Sequence, residues 1–143
     1  MLTRERIAAL LPYGPSMVLL DRVESTAEDS IVCYSRCHRE PGSPLRRGGS
    51  LPAAAALELA AQAVALHGTI AGGECVRGML VLARDVRFGR GDLDVEEDEL
   101  RIEVQILRRS GAGCTAAFAV GPRESRYVEG RIGILFGAPD ARN

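Results

Sequence analysis

Glu58 is the only acidic residue between Glu40 and Glu74, and it stands in the middle of an alanine-rich stretch. At about 100° per residue on a helix, its stripe contains Ala54, Ala55, Ala61, Gln62, Ala65 and Thr69, with no Lys or Arg within one turn. A carboxylate among methyl groups is poorly solvated, which raises its pKa toward the range where it can take and return a proton. Gln62, one turn on, is placed to orient that carboxylate or to line the same pocket. Two plainer readings stand beside this one. Glu58 can lie on a narrow solvent-facing strip or pair with an arginine from a strand, and Gln62 can bond only to backbone.

The residues before Glu58 add a second chemical element. Gly48 and Gly49 let backbone approach a ligand closely, and Gly49 is a candidate substrate contact. The first-turn amides near Ala53 and Ala54 are unpaired within a helix, so they could polarise a thioester carbonyl and stabilise an enolate-like oxyanion. Every helix has such an end, so the signal gains weight only from its nearness to Glu58. His38, just before the loop, is a second candidate for proton transfer. His67 is nine positions after Glu58, roughly 180° around the helix, and is expected to pack rather than react. Arg46 and Arg47 are placed to receive a pantetheine phosphate or an acidic carrier surface, or else are solvated loop charges.

These residues need elements to hold them. Thr3 is a candidate cap for a short helix, TRERIAALL, ended by Pro12 and Gly14. MVLLDRVES predicts a first strand and DSIVCYSRCH a second. REPGSPLRRGGSLP is dense in Pro, Gly and Ser and reads as a loop. Pro52 suits the first turn of a helix of about twenty residues, whose end Gly68, Gly72 and Gly73 mark. Period-two alternation then dominates. GMLVLARDVRFG, ELRIEVQILRR, CTAAFAV and RYVEGRIGILF predict four strands, with hairpin turns at SGAG and GPRES. The whole predicts an α+β domain over residues 1–143, a sheet wrapped around one long helix that is covered nearly all round.

Composition excludes several classes of function. Hydrophobic residues make up 46% of the 143 positions and the net charge is −1, so the chain can bury a core but carries no field for nucleic acid. There is no Trp, and the few Tyr and Phe are scattered, so no stacking face for bases is evident. Leu51–Gly72 is long enough to cross a bilayer. However, an ionised Glu58 at mid-span would cost roughly 3 kcal/mol or more, so a buried helix off the membrane is expected. Cys33, Cys37, Cys75 and Cys114 fit neither a zinc site nor a redox pair, and no metal or cofactor is expected. MLTRERIAALLPYG is too short and too charged for a signal peptide, which with reduced cysteines predicts a cytoplasmic protein.

The chain resembles the 3-hydroxyacyl-acyl carrier protein dehydratases of the hot-dog fold over nearly its whole length. LLPYGPSMVLLDRV is similar to their Leu-Pro-His…Leu-Val-Asp-Arg-Val opening, with Tyr13 where the family has His. SLPAAAALELAAQAVA is similar to their Met-Pro-Gly…Glu-Ala-Met-Ala-Gln helix start and sets Glu58 and Gln62 on the family's Glu and Gln. GMLVLARDVRF, VEEDELRIEVQILR and YVEGRIGILF follow the family's last strands. The resemblance implies a six-stranded antiparallel sheet around the helix and a dimer formed by edge strands. It also implies loss of water from 3-hydroxyacyl thioesters of acyl carrier protein or coenzyme A, in fatty acid or polyene lipid synthesis.

One departure matters. The family's catalytic His, in a Gly-His-Phe-Pro-Gly segment before the helix, falls on Pro44 or Arg46 according to the end counted from, and Ala53 replaces the helix-start Gly. In this loop the chain resembles a divergent, aryl-polyene-type dehydratase-like subfamily whose members can pair with a second hot-dog subunit. The histidine function then falls to His38 or to a partner chain, in a homodimer or heterodimer, or the chain is a non-catalytic partner. An acyl thioesterase, in which a central-helix carboxylate activates water or attacks the carbonyl, is the remaining alternative.

Overall fold

Strict alternation builds the middle of the sheet. In β5 (Leu100–Arg109), Leu100, Ile102, Val104 and Ile106 are buried, while Arg101, Glu103 and Gln105 face outward. The structure, a computed structural model, describes residues 2–72 and 78–137. Cys75 and Gly73, both singled out in the sequence, lie outside the described residues.

Before β5 come β1 (Leu2–Thr3), α1 (Arg4–Leu10), β2 (Arg22–Ala27), β3 (Ser30–Ser35), α2 (Ala55–Ile70) and β4 (Gly78–Phe88); β6 (Gly113–Val120) and β7 (Val128–Phe136) follow it. The strands form one antiparallel sheet in the order β1-β2-β3-β5-β6-β7-β4. This is the expected hot-dog arrangement, with α2 packed against β3, β4, β5, β6 and β7. The sheet has seven described strands rather than six. The addition is β1, where Leu2 and Thr3 pair with Val23 and Arg22, too short a segment for alternation to reveal. Thr3 occupies the cap position of α1 without a side-chain bond to it.

Two predicted strands change their bounds for identifiable reasons. Met17–Leu20 does not join the sheet. Leu19 donates its N–H to the Gln62 side chain (3.0 Å), and its carbonyl accepts from Ser35 Oγ (2.5 Å), so side chains take the place of ladder bonds. Val18, Leu19 and Leu20 are nonetheless buried, which explains the apolar run. The second strand stops at Ser35, and Cys37–Arg39 form a single 3₁₀ turn.

Within α2 no residue is exposed, as its apolar sequence predicts. The helix begins at Ala55, three residues after Pro52. Pro52–Ala54 is instead a turn tied to the segment after β4, with the Ala53 N–H donating to Gly91 O (2.9 Å) and the Leu93 N–H to Leu51 O (2.9 Å). Its other end closes at Gly72, whose φ of +95° is readily reached only without a side chain. His67, in the last turn, is buried, and its Nε2 donates to the Ala27 carbonyl (2.9 Å), which locks the helix end to the β2–β3 turn. Among the described residues no helix is long and apolar enough to cross a membrane.

β4 departs furthest from its predicted pattern. Among the described residues it bonds only to β7, its register slips twice, and Asp85 takes a φ of +53°. Residues on both of its faces are exposed, including Met79, Val81, Leu82 and Phe88. An edge strand covered on one side alone cannot sustain the in–out alternation of a central strand.

Candidate active site

Glu58 sits one turn into α2, half-buried, at the wall of a cavity of about 590 Å³. Three parts of the chain close this space. The α1–β2 connection contributes Pro12, Tyr13, Gly14 and Met17; α2 contributes Glu58 and Gln62; and β4 and β7 contribute Gly78, Met79, Leu135 and Phe136. Apart from Glu58, Gln62 and Tyr13, the side chains lining it among the described residues are apolar. Burial pushes the Glu58 carboxyl above its ordinary value of 4.5, and a hydrogen bond from the Gln62 amide pulls partly the other way. Among the described residues no arginine pairs with it. The lone acid keeps the poorly solvated character that its alanine neighbours predict.

Gln62 stands one turn after Glu58 on α2. It is fully buried, lines the cavity beside Glu58, and holds the backbone of the α1–β2 connection. Its Oε1 accepts from the Leu19 N–H (3.0 Å) and its Nε2 donates to Met17 O (2.7 Å). One amide thus fastens a wall of the cavity to the helix that carries the acid.

The other candidates lie away from this space. His38 is buried, its Nε2 donates to the Glu96 carbonyl (2.9 Å), and it does not line the cavity. Burial lowers the imidazole pKa, with the Glu96 carbonyl acting in the opposite direction. Arg46 donates from Nη1 to His38 O (2.9 Å), and from Nη2 to Asp94 (3.3 Å) and to the Gly49 carbonyl. Arg47 donates to the carbonyls of Pro44 (3.2 Å) and Arg46 (2.8 Å). Gly49 is exposed with a φ of +85°. These residues brace the loop between β3 and α2. The expectation of a free Ala53 amide is corrected, because Gly91 O accepts its hydrogen; Ala54 is exposed and also outside the cavity wall.

Among the described residues no group of three His, Cys, Asp or Glu side chains could hold a metal. Cys33, Cys37 and Cys114 are buried free thiols, and burial pushes Cys33 up to about 12. Reading the sequence alone missed the walls from β4 and β7. Their apolar residues belong to alternating strands and carry no mark of a binding role. Tyr13 was visible only through its place in the family's opening motif.

No curated protein matches the sequence. Among solved structures, the chain is similar to the dehydratase heterocomplex ApeI:P from Xenorhabdus doucetiae, at 23% identity and a TM-score of 0.81, covering 96% of this chain and 93% of that one. It is also similar to zebra fish thioesterase superfamily member 2, at 17% identity and a TM-score of 0.63, over 96% of this chain and all (100%) of that one. A mutant thioesterase from Pseudomonas aeruginosa matches at 12% identity and a TM-score of 0.63, over 95% and 94% of the two chains. At these identities the structural likenesses establish the hot-dog fold. The family rests on the sequence itself: the ApeP-like model, described as ApeP dehydratase, matches residues 5–138, and the chain belongs to that family.

Proposed function

We propose that the protein removes water from 3-hydroxyacyl thioesters to leave trans-2-enoyl products, with Glu58 as the acid/base. The observation that carries this reading is a poorly solvated carboxyl, the only one lining the cavity among the described residues, at an otherwise mostly apolar wall. The thioester carbonyl acidifies the α-proton, so a carboxylate with a raised pKa is matched to removing it. The apolar wall from Met17, Met79, Leu135 and Phe136 suits an acyl chain. The acyl group is proposed to arrive on acyl carrier protein or coenzyme A, and membership of a dehydratase family supports the reaction class.

The native unit is proposed to be a pair of hot-dog subunits joined along β4. The solved relative is a dehydratase heterocomplex, and here β4 and β7 expose Met79, Val81, Leu82, Phe88 and Leu135 at the sheet edge. Among the described residues no histidine lines the cavity, which favours one other reading: a subunit that supports an active partner without reacting itself.

Incubation with 3-hydroxyacyl and saturated acyl thioesters separates these readings. Enoyl product is expected, and Glu58→Gln should lower its formation about 100-fold, the usual size of an acid/base contribution. Free acid and thiol would instead identify a thioesterase. Unchanged product formation in Glu58→Gln, measured with the partner subunit present, would identify the supporting role.

A further inference from the structure

Loss of water from a 3-hydroxyacyl group needs two proton transfers, one from the α-carbon and one to the departing oxygen. Glu58 accounts for the first under the dehydration reading, and any role for a second group rests on that same reading. Of the other polar side chains lining the cavity among the described residues, Gln62 has no titrating proton, and both ends of its amide are engaged by the backbone of Met17 and Leu19. The remaining one is Tyr13. We propose that Tyr13 is the second catalytic residue, its phenol donating a hydrogen bond and then a proton to the 3-hydroxyl of the substrate.

The connection that carries Tyr13 is held on both sides. Leu11 caps α1 through its N–H to Ile7 O (3.1 Å), and Met17 closes a turn through its N–H to Gly14 O (2.9 Å). Gln62 then fastens Met17 and Leu19 to the helix that bears Glu58. The Tyr13 ring packs partly buried against the core. Tyr13 and Glu58 thus line one cavity, on segments that the Gln62 bonds tie together at Met17 and Leu19.

The chemistry balances. The Glu58 carboxylate takes the α-proton, and the electron pair of that C–H bond becomes the new Cα–Cβ π bond. The Cβ–O bond breaks, and the oxygen leaves as water with the phenol proton. The proton on Glu58 then passes to the phenolate, directly or through water, restoring both groups. A phenol hydroxyl both donates a hydrogen bond and carries a proton that it can transfer.

Tyr13→Phe removes the hydroxyl and keeps the ring. It is expected to lower kcat for dehydration about 10- to 100-fold with little change in KM. An independent readout is binding of pantetheine amides, which cannot be cleaved as thioesters, carrying either a 3-hydroxyacyl or a saturated acyl chain. Tyr13→Phe should reduce the preference for the hydroxylated amide about 5- to 10-fold, the usual worth of one hydrogen bond. Wild-type turnover and wild-type preference in Tyr13→Phe would overturn the assignment. If Glu58→Gln loses activity while Tyr13→Phe does not, only the role of Tyr13 fails. If Glu58→Gln is as active as wild type, or neither amide binds the wild-type protein, the dehydration reading fails and takes Tyr13 with it.

Discussion

A carboxyl that is harder to ionise in the folded protein than in the unfolded chain couples stability to pH. Burial raises Glu58 above 4.5, so over the interval between that value and the native one the folded state binds more protons than the unfolded state. Stability from this group is therefore full below the interval and declines as pH climbs through it. Thermal unfolding across a pH series should show Glu58→Gln with a flatter profile and a higher Tm than wild type above the interval. An identical slope in both proteins would mean that water reaches the carboxylate freely. At this scale the sequence was informative where a residue type broke its surroundings. Glu58 stood out among alanines, and Gln62 stood one turn away. The Ala53 amide misled because its acceptor, Gly91, lies across the loop after β4, and no local pattern reports such a pairing. His38 and the arginines were plausible by residue type, but their partners are carbonyls and a carboxylate of adjoining loops.

Elements were legible in proportion to how evenly they are covered. β5, β6 and β7 are paired on both sides and keep one face inward for much of their length, so their alternation was plain. β4 has one neighbour, and β2 starts late because Gln62 and Ser35 hold the preceding residues. The β6–β7 turn shows how narrowly such joints are built. Gly121 has a φ of +119°, and a Cβ there would lie 2.8 Å from the Tyr127 N. Tyr127 N–H in turn donates to Val120 O (2.9 Å), closing the hairpin. Gly121→Ala should destabilise the fold by about 1–3 kcal/mol, as measured by denaturant midpoint. A midpoint within error of wild type would show that the turn relaxes at no cost.

Whole-molecule organisation was readable as a sheet around a helix, but the shape of the cavity was not, because its walls come from both ends of the chain. Met79 and Leu135 belong at once to that cavity and to the exposed β4–β7 edge. Association along this edge would therefore cover the acyl site as well as the patch. Val81→Glu should shift the protein toward single subunits in light scattering while far-ultraviolet dichroism stays unchanged, since Val81 is 56% exposed in the isolated chain. An unaltered mass would move the interface elsewhere. The sealed thiols of Cys33, Cys37 and Cys114 have a consequence of another kind. Alkylating reagents attack thiolates, and these three are both hidden and held protonated. Their labelling rates become a clock for how often the chain opens, with Cys33 timing the excursions that part β3 from its neighbours.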